Sequence, residues 1–343
     1  MSSKTILIVG PAWVGDMVMA QTLFQLLKER DPSCLIDVLA PAWTQALLSR
    51  MPEVRESIDL PLAHGELRLR DRYRLGVSLR ARRYDQAIVL PNSFKSALVP
   101  YWARIPQRTG WLGEGRYGLL NDIRRLSKKQ WPLMIQRFMA LGLARDERLP
   151  DALPRPLLHI VPERVTQTLQ RLNLPSTDQP VLGLCPGAEF GASKRWPAEY
   201  YAELAKAKCR EGWQVWLLGS SKDKAITDAI DAMTGHRTVN LAGVTSLTDA
   251  VDLLSCTTLV VTNDSGLMHI AAALNRPLVV LYGSTSPAFT PPLSDQAHIL
   301  QQSLPCSPCF QRECPLGHFK CMMELTPDRV IKTMESITQC VDA

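Results

Sequence analysis

Leu259-Val-Val-Thr-Asn-Asp-Ser-Gly-Leu-Met-His-Ile-Ala-Ala-Ala273 contains the change of pattern that decides the fold. An apolar, β-branched run suited to a buried strand breaks at Asn263-Asp264, and an alanine-rich helical run begins directly after Ser265 and Gly266. Strand, turn and helix in immediate succession form the βα junction of a parallel sheet, and such junctions are where open α/β sheets bind ligands. The Ser265 and Gly266 amides then belong to a helix N-terminus, where unpaired N–H groups and the helix dipole favour phosphate oxygens. His269 lies one turn in, facing the same mouth. Plainer readings stand beside this one: capping alone accounts for Asp264 and Ser265, and a satisfied core imidazole for His269.

The alternation recurs on either side. Strands are predicted at Val181–Cys185, Val215–Leu218, Thr238–Leu241, Leu259–Thr262 and Leu278–Tyr282, with helices near 197–211, 222–233, 246–256 and 265–274. Upstream, strands at Thr5–Val9, Leu35–Leu39, Ser57–Leu60 and Gln86–Leu90 alternate with helices near 16–30, 43–50, 67–82, 93–104 and 131–143. Between the two sets lies Arg148–Glu163, whose Pro150, Pro154, Pro156 and Pro162 disfavour helix and mark an interdomain linker. At 343 residues the chain exceeds what one hydrophobic core usually organises. The expectation is an α/β protein of two Rossmann-like, doubly wound domains, residues 1–155 and 156–343, facing a central cleft, with the C-terminal helix packing back on the N-terminal domain.

Hydrophobic residues make up 46% and charged residues 21%, ordinary globular proportions. The apolar run before Gly10 is too short for a signal peptide or a membrane span, and nothing elsewhere approaches a spanning helix, so a cytoplasmic protein is expected. The net charge of +6 hides an asymmetry: residues 1–160 carry 24 Lys and Arg against 15 Asp and Glu, whereas residues 161–343 carry 15 against 18. The excess gathers in Arg68, Arg70, Arg72, Arg74, Arg80, Arg82 and Arg83, and again in Arg104, Arg108, Arg116, Arg124, Arg125, Lys128 and Lys129. Such clusters suit an anionic partner, or else form a solvated face. The basic stretches lack the interleaved aromatics and modules of nucleic-acid binders, so no nucleic-acid partner is expected.

Further candidates sit where other strands hand over to helices. Gly10-Pro-Ala-Trp-Val-Gly-Asp16 follows the first strand with a spacing that is not the dinucleotide fingerprint, which disfavours bound NAD. Asp16 there is either a general base or a helix N-cap. Cys185-Pro-Gly-Ala-Glu-Phe-Gly-Ala-Ser-Lys-Arg-Trp-Pro197 can wrap a diphosphate between its glycines and Lys194, although exposed cations before a helix are often merely solvated. Asp223, after Gly219, can bind ribose hydroxyls or cap its helix.

Nine cysteines are present. Cys34, Cys185, Cys209, Cys256 and Cys340 are scattered, as reduced thiols would be. Cys306, Cys309, Cys314 and Cys321, near His318, open with a C-x-x-C that invites zinc, but the remaining spacings match no standard paired knuckle, and a structural loop without a catalytic role reads as well. D-x-D, H-E-x-x-H, G-x-S-x-G and the P-loop are all absent, which removes most support for metal-assisted and acyl-transfer schemes.

The runs GPAWVGDMVMAQTLFQLLK, YDQAIVLPNSFKSALVPYWARIPQRTGW, CPGAEFGASKRWP and NDSGLMHIAAALNRPLVVLYGSTSPAFTPPLS closely resemble the ADP-heptose:lipopolysaccharide heptosyltransferase II family within glycosyltransferase family 9. The resemblance spans most of the chain. It implies a GT-B fold, an ADP-heptose donor, and the first heptose of the lipopolysaccharide inner core (Hep-Kdo2-lipid A) as acceptor. Residue by residue, it makes Asp16 the catalytic base and Lys194 a second catalytic group near the donor phosphates. Gly187, Lys194, Asp223, Asp264, Ser265, Gly266 and His269 become donor-binding, with Asp223 standing where relatives carry Glu. Trp13, Asn92 and Lys95 fall on the acceptor side. Inverting transfer with no metal and no cofactor is implied, as is an anionic lipid A-core acceptor met at the cytoplasmic face of the inner membrane.

Other readings stay open: a heptosyltransferase of sister acceptor specificity, a GT-B sugar-nucleotide epimerase or hydrolase, and a non-enzymatic nucleotide or lipid A binding module.

Overall fold

The structure, a computed structural model, describes residues 3–62, 65–175 and 177–341. It divides into two compact units, Met1–Pro156 and Leu157–Ala343, each with its own sheet and core.

The first unit is built on six parallel strands: β1 (Thr5–Val9), β2 (Leu35–Ala40), β3 (Val54–Asp59), β4 (Gln86–Val89), β5 (Gln107–Trp111) and β6 (Asp122–Arg124), in the spatial order β3-β2-β1-β4-β5-β6. β1 lies centrally, with Ile6 level with Ile36 of β2 and Gln86 of β4. Ile6, Leu7, Ile8 and Val9 are all buried, as a strand covered on both faces requires. The covering helix Val14–Arg30 buries Met17 through Phe24 without interruption.

Two strands of this unit absent from the sequence-based prediction, β5 and β6, are polar. Gln86 donates to the Thr109 hydroxyl (3.0 Å), Thr109 donates to Asp122 (3.1 Å), and Arg124 pairs with the same carboxylate (2.8 Å). A ladder of satisfied polar side chains takes the place of the apolar run by which a buried strand is usually recognised.

The second unit repeats the plan with β7 (Val181–Cys185), β8 (Gln214–Leu217), β9 (Val239–Asn240), β10 (Leu259–Asn263), β11 (Leu278–Tyr282) and β12 (Ala297–Gln301), ordered β12-β11-β10-β7-β8-β9. Every residue of β7, β10 and β11 is buried. Trp196 and Tyr201 fill the core beneath them, together with Val330, Met334 and Ile337 of the C-terminal helix Pro327–Val341, so the apolar face of that helix belongs to this second core. The linker is shorter than its prolines suggest. Pro162 opens the helix Pro162–Arg171, because proline at the first helical position lacks only an N–H that would have had no partner in the helix.

In both units the chain starts at a central strand, builds to one edge, then crosses back to build the other. The α/β, doubly wound expectation therefore holds in each, and the reversals fall between β1 and β4 and between β7 and β10.

One buried charge secures the first sheet. The Asp37 carboxylate, fully shielded on β2, accepts from Arg55 (2.6 Å) and from the Tyr84 hydroxyl (2.6 Å). Asp37→Ala strands both donors and is expected to lower stability by about 2–4 kcal/mol, read as a shift of the urea midpoint.

Candidate active site

In the second unit the site grows from the last residue of β10. The Asn263 side chain is buried and donates to the Pro186 carbonyl (2.7 Å). Its oxygen accepts from the Trp196 amide (3.2 Å) and the Tyr201 hydroxyl (3.0 Å). Asn263 thus fastens the end of β10 to the loop that follows β7, on either side of the reversal.

Asp264 comes next, only 4% exposed. Its carboxylate accepts from the Lys194 ammonium (2.6 Å) and the Thr285 hydroxyl (2.5 Å). Lys194 reaches it from the short turn Ala192–Lys194 at the close of the glycine loop. Ser265 is the N-cap of the helix Gly266–Ala273, and its side chain makes no capping bond, which leaves the first amides of that helix to other acceptors. His269 is buried one turn in. Burial is the main force on its imidazole, lowering its pKa to about 4; Asp264 pulls it up and Lys194 pushes it down. It is therefore neutral at physiological pH.

At the end of β8, Asp223 accepts from the Ser220 amide (2.9 Å) and hydroxyl (2.8 Å), the reciprocal bonding of a capping box. Its carboxyl group also lies so close over Gly187 that a β-carbon there would collide with it. Contacts among the residues chosen from sequence thus join Lys194 to Asp264 and Asp223 to Gly187, around the carboxyl ends of β7, β8 and β10.

Sequence reasoning missed Asn263, Thr285, Phe190 and Arg312. Phe190 lies inside the glycine loop, with the Lys194 ammonium 5.0 Å and the Arg312 guanidinium 5.6 Å from its ring centroid. Nothing in a linear pattern ties residue 312 to residue 190; folding alone brings them together.

In the first unit Trp13, Asp16, Asn92 and Lys95 follow the carboxyl ends of the adjacent strands β1 and β4. The N-cap of the helix Val14–Arg30 is Trp13, so Asp16 is not the cap; it stands half-buried in the first turn, where the dipole favours a carboxylate. Asn92 is exposed and accepts a long bond from Arg116 (3.4 Å).

Arg116 corrects the reading of the basic clusters. It is fully buried, donating to the carbonyl of Pro91 (2.7 Å) and the hydroxyl of Ser96 (3.2 Å), and desolvation lowers its pKa to about 10. Arg72 is buried on the backbone carbonyls of Leu67 and Glu66, and Arg124 on Asp122 and the backbone carbonyls of Ala140 and Leu143. These three hold loops in place, while Arg70, Arg74, Arg104, Arg125, Lys128 and Lys129 remain at the surface.

Cys306, Cys309, Cys314 and Cys321 line one small recess with His318, all as free thiols. Among the described residues no three His, Cys, Asp or Glu side chains are disposed to hold a metal ion. The side chain of Cys340 lies outside the described set.

Residues 72–320 match the model of glycosyltransferase family 9 (heptosyltransferase). The chain is 50% identical over 341 residues to lipopolysaccharide heptosyltransferase 2 of Escherichia coli K12, covering 97% of this chain and 98% of that one. It is 52% identical over 307 residues to lipooligosaccharide heptosyltransferase 2 of Haemophilus influenzae Rd, covering 86% and 88%. Among solved structures, E. coli ADP-heptose lps heptosyltransferase II superposes with a TM-score of 0.89 at 47% identity, over 99% of this chain and 100% of that one.

The depressed imidazole makes a stability prediction. A histidine near pKa 6.5 when unfolded and about 4 when folded takes up its proton in the unfolded state first, so stability is intact above pH 6.5 and falls as pH drops toward 4. Between pH 7 and 5 its share is about 2 kcal/mol. Thermal melts of His269→Gln across that range are expected to show a correspondingly flatter pH dependence than the parent.

Proposed function

The chain belongs to glycosyltransferase family 9, the heptosyltransferases, and from that premise we propose that it transfers L-glycero-D-manno-heptose from ADP-heptose to the first heptose of the lipopolysaccharide inner core. The observation that carries this reading is the Lys194–Asp264 pair beside the open helix N-terminus at Gly266, a phosphate-accepting arrangement at a sheet reversal in a chain matched end to end by heptosyltransferases.

In the reaction, Asp16 takes the proton from the acceptor 3-hydroxyl as its oxygen attacks the donor's anomeric carbon from the face opposite ADP. The new glycosidic bond forms, the bond to the β-phosphate oxygen breaks, and that electron pair leaves with ADP, inverting the configuration. A positioned base contributes about 10²–10⁴ in rate. Charge growing on the diphosphate is met by Lys194 and by the Ser265 and Gly266 amides, each fixed donor worth about 10²–10³ in kcat. No step in this scheme is routed through a divalent ion. Neutral His269 helps shape the donor pocket, Asp223 lies on the side of the adenosine ribose, and Gly187 leaves room for that carboxylate.

Trp13, Asn92 and Lys95 are assigned to the acceptor. The acceptor is an anionic glycolipid, and the first unit presents a face suited to the membrane that holds it. The helix Leu69–Ser78 exposes Leu69, Arg70, Tyr73 and Arg74, and Tyr73 packs edge-on against Trp102 (5.6 Å), beside exposed Tyr101 and Arg104. Apolar rings among arginines suit anionic headgroups. No helix among the described residues is long and apolar enough to cross a membrane, and we place the enzyme in the cytoplasm, peripheral to the inner membrane.

Mass spectrometry of inner-core lipid A precursors incubated with ADP-heptose, with and without EDTA, tests the reading. A heptose-sized gain in both arms supports it; ADP release without acceptor points instead to a hydrolase, and a gain only on another core intermediate to a sister specificity. Asp16→Asn is expected to bind ADP normally and to lose about 10²–10⁴ in kcat. Unchanged turnover would remove Asp16 from the chemistry.

A further inference from the structure

We propose that Arg312 is a further donor-binding residue, its guanidinium clamping the diphosphate of the nucleotide sugar, and that the cysteine-rich segment serves to carry it there. The proposal rests on the ADP-sugar reading above.

The Arg312 carbonyl accepts the Ser193 amide (3.1 Å), and the Ser193 hydroxyl donates to the carbonyl of Gln311. A β-carbon at Gly191 would run into the Arg312 carbonyl oxygen, so the glycine loop and this segment lie directly against each other. The segment is also tied to the end of β11, through the Phe310 amide on the Ser284 carbonyl (2.7 Å) and the Ser307 hydroxyl on the Gly283 carbonyl (2.7 Å). Residue 312 is therefore fixed beside the loop that ends in Lys194, although 118 positions separate it from residue 194.

Positive charge at this loop is otherwise mostly matched. The Lys194 ammonium is already matched by the Asp264 carboxylate at 2.6 Å, His269 is uncharged, and Lys222 is paired with Glu189. A paired cation acts at a distance as a dipole, and a diphosphate arriving here still needs positive charge. Arg312 is exposed, and among the described residues no carboxylate pairs with it. Its guanidinium lies over the Phe190 ring that Lys194 also faces, which orients the planar fork without neutralising it. An oriented arginine with no counter-ion is suited to bidentate contact with phosphate oxygens.

Calorimetry with ADP and with adenosine on the full chain, for the parent, Arg312→Gln and Arg312→Lys, tests the assignment. Arg312→Gln is expected to weaken ADP by about 10- to 100-fold while leaving adenosine unchanged, and Arg312→Lys to recover part of the loss. ADP affinity within about 2-fold of the parent in Arg312→Gln overturns the proposal. So does an equal loss of ADP and adenosine, which marks a disturbed loop rather than a missing phosphate contact. A parent chain that binds no ADP overturns the nucleotide-sugar reading itself, and is told apart by failing before any substitution is made.

Discussion

The Asp264 carboxylate, almost sealed from water between the Lys194 ammonium and the Thr285 hydroxyl, is the constraint around which the second unit's site is arranged. A charge so placed is tolerated only when its partners are held in good geometry, because an unpaired buried carboxylate costs several kcal/mol. Three separate segments must therefore arrive together: the glycine loop with Lys194, the end of β10 with Asp264, and the turn after β11 with Thr285. Asn263 fastens two of them by accepting and donating across the sheet reversal. The neutral state of His269 follows from the same enclosure.

That dependence explains which parts were legible in the sequence. β1, β7, β10 and β11 are covered on both faces, so each is written as a largely apolar run, and their limits could be read closely. β5 and β6 could not, because Gln86, Thr109, Asp122 and Arg124 satisfy one another across the sheet and conceal the strands behind polar letters. β12, an edge strand with His298 and Ile299 exposed, has too weak a pattern to announce itself. The helix at Pro162 was hidden by its own proline, a residue that ends helices in most positions and begins them in one.

The candidate site was legible in part, for a related reason. Residues following a buried strand, such as Asp264 and Ser265, stand out because an apolar run stops abruptly before them. Arg312 and Thr285 are placed by long-range backbone and side-chain contacts that leave no periodic trace. Charge counting erred in the other direction. Arg72, Arg116 and Arg124 swell the basic total of the first half, yet each is buried on neighbouring oxygens, so the charge available to a partner is smaller than the composition suggests.

Each half of the chain closes its own six-stranded sheet over its own core, and even the last helix completes the interior of the half to which its sequence is contiguous. Heredity can then act on the halves separately. On the proposed assignment of acceptor to the leading half and donor to the trailing half, loops of the leading half can be remodelled without disturbing the sheet and core that hold the Lys194–Asp264 pair. A junction between Pro156 and Leu157 cuts neither sheet and neither core.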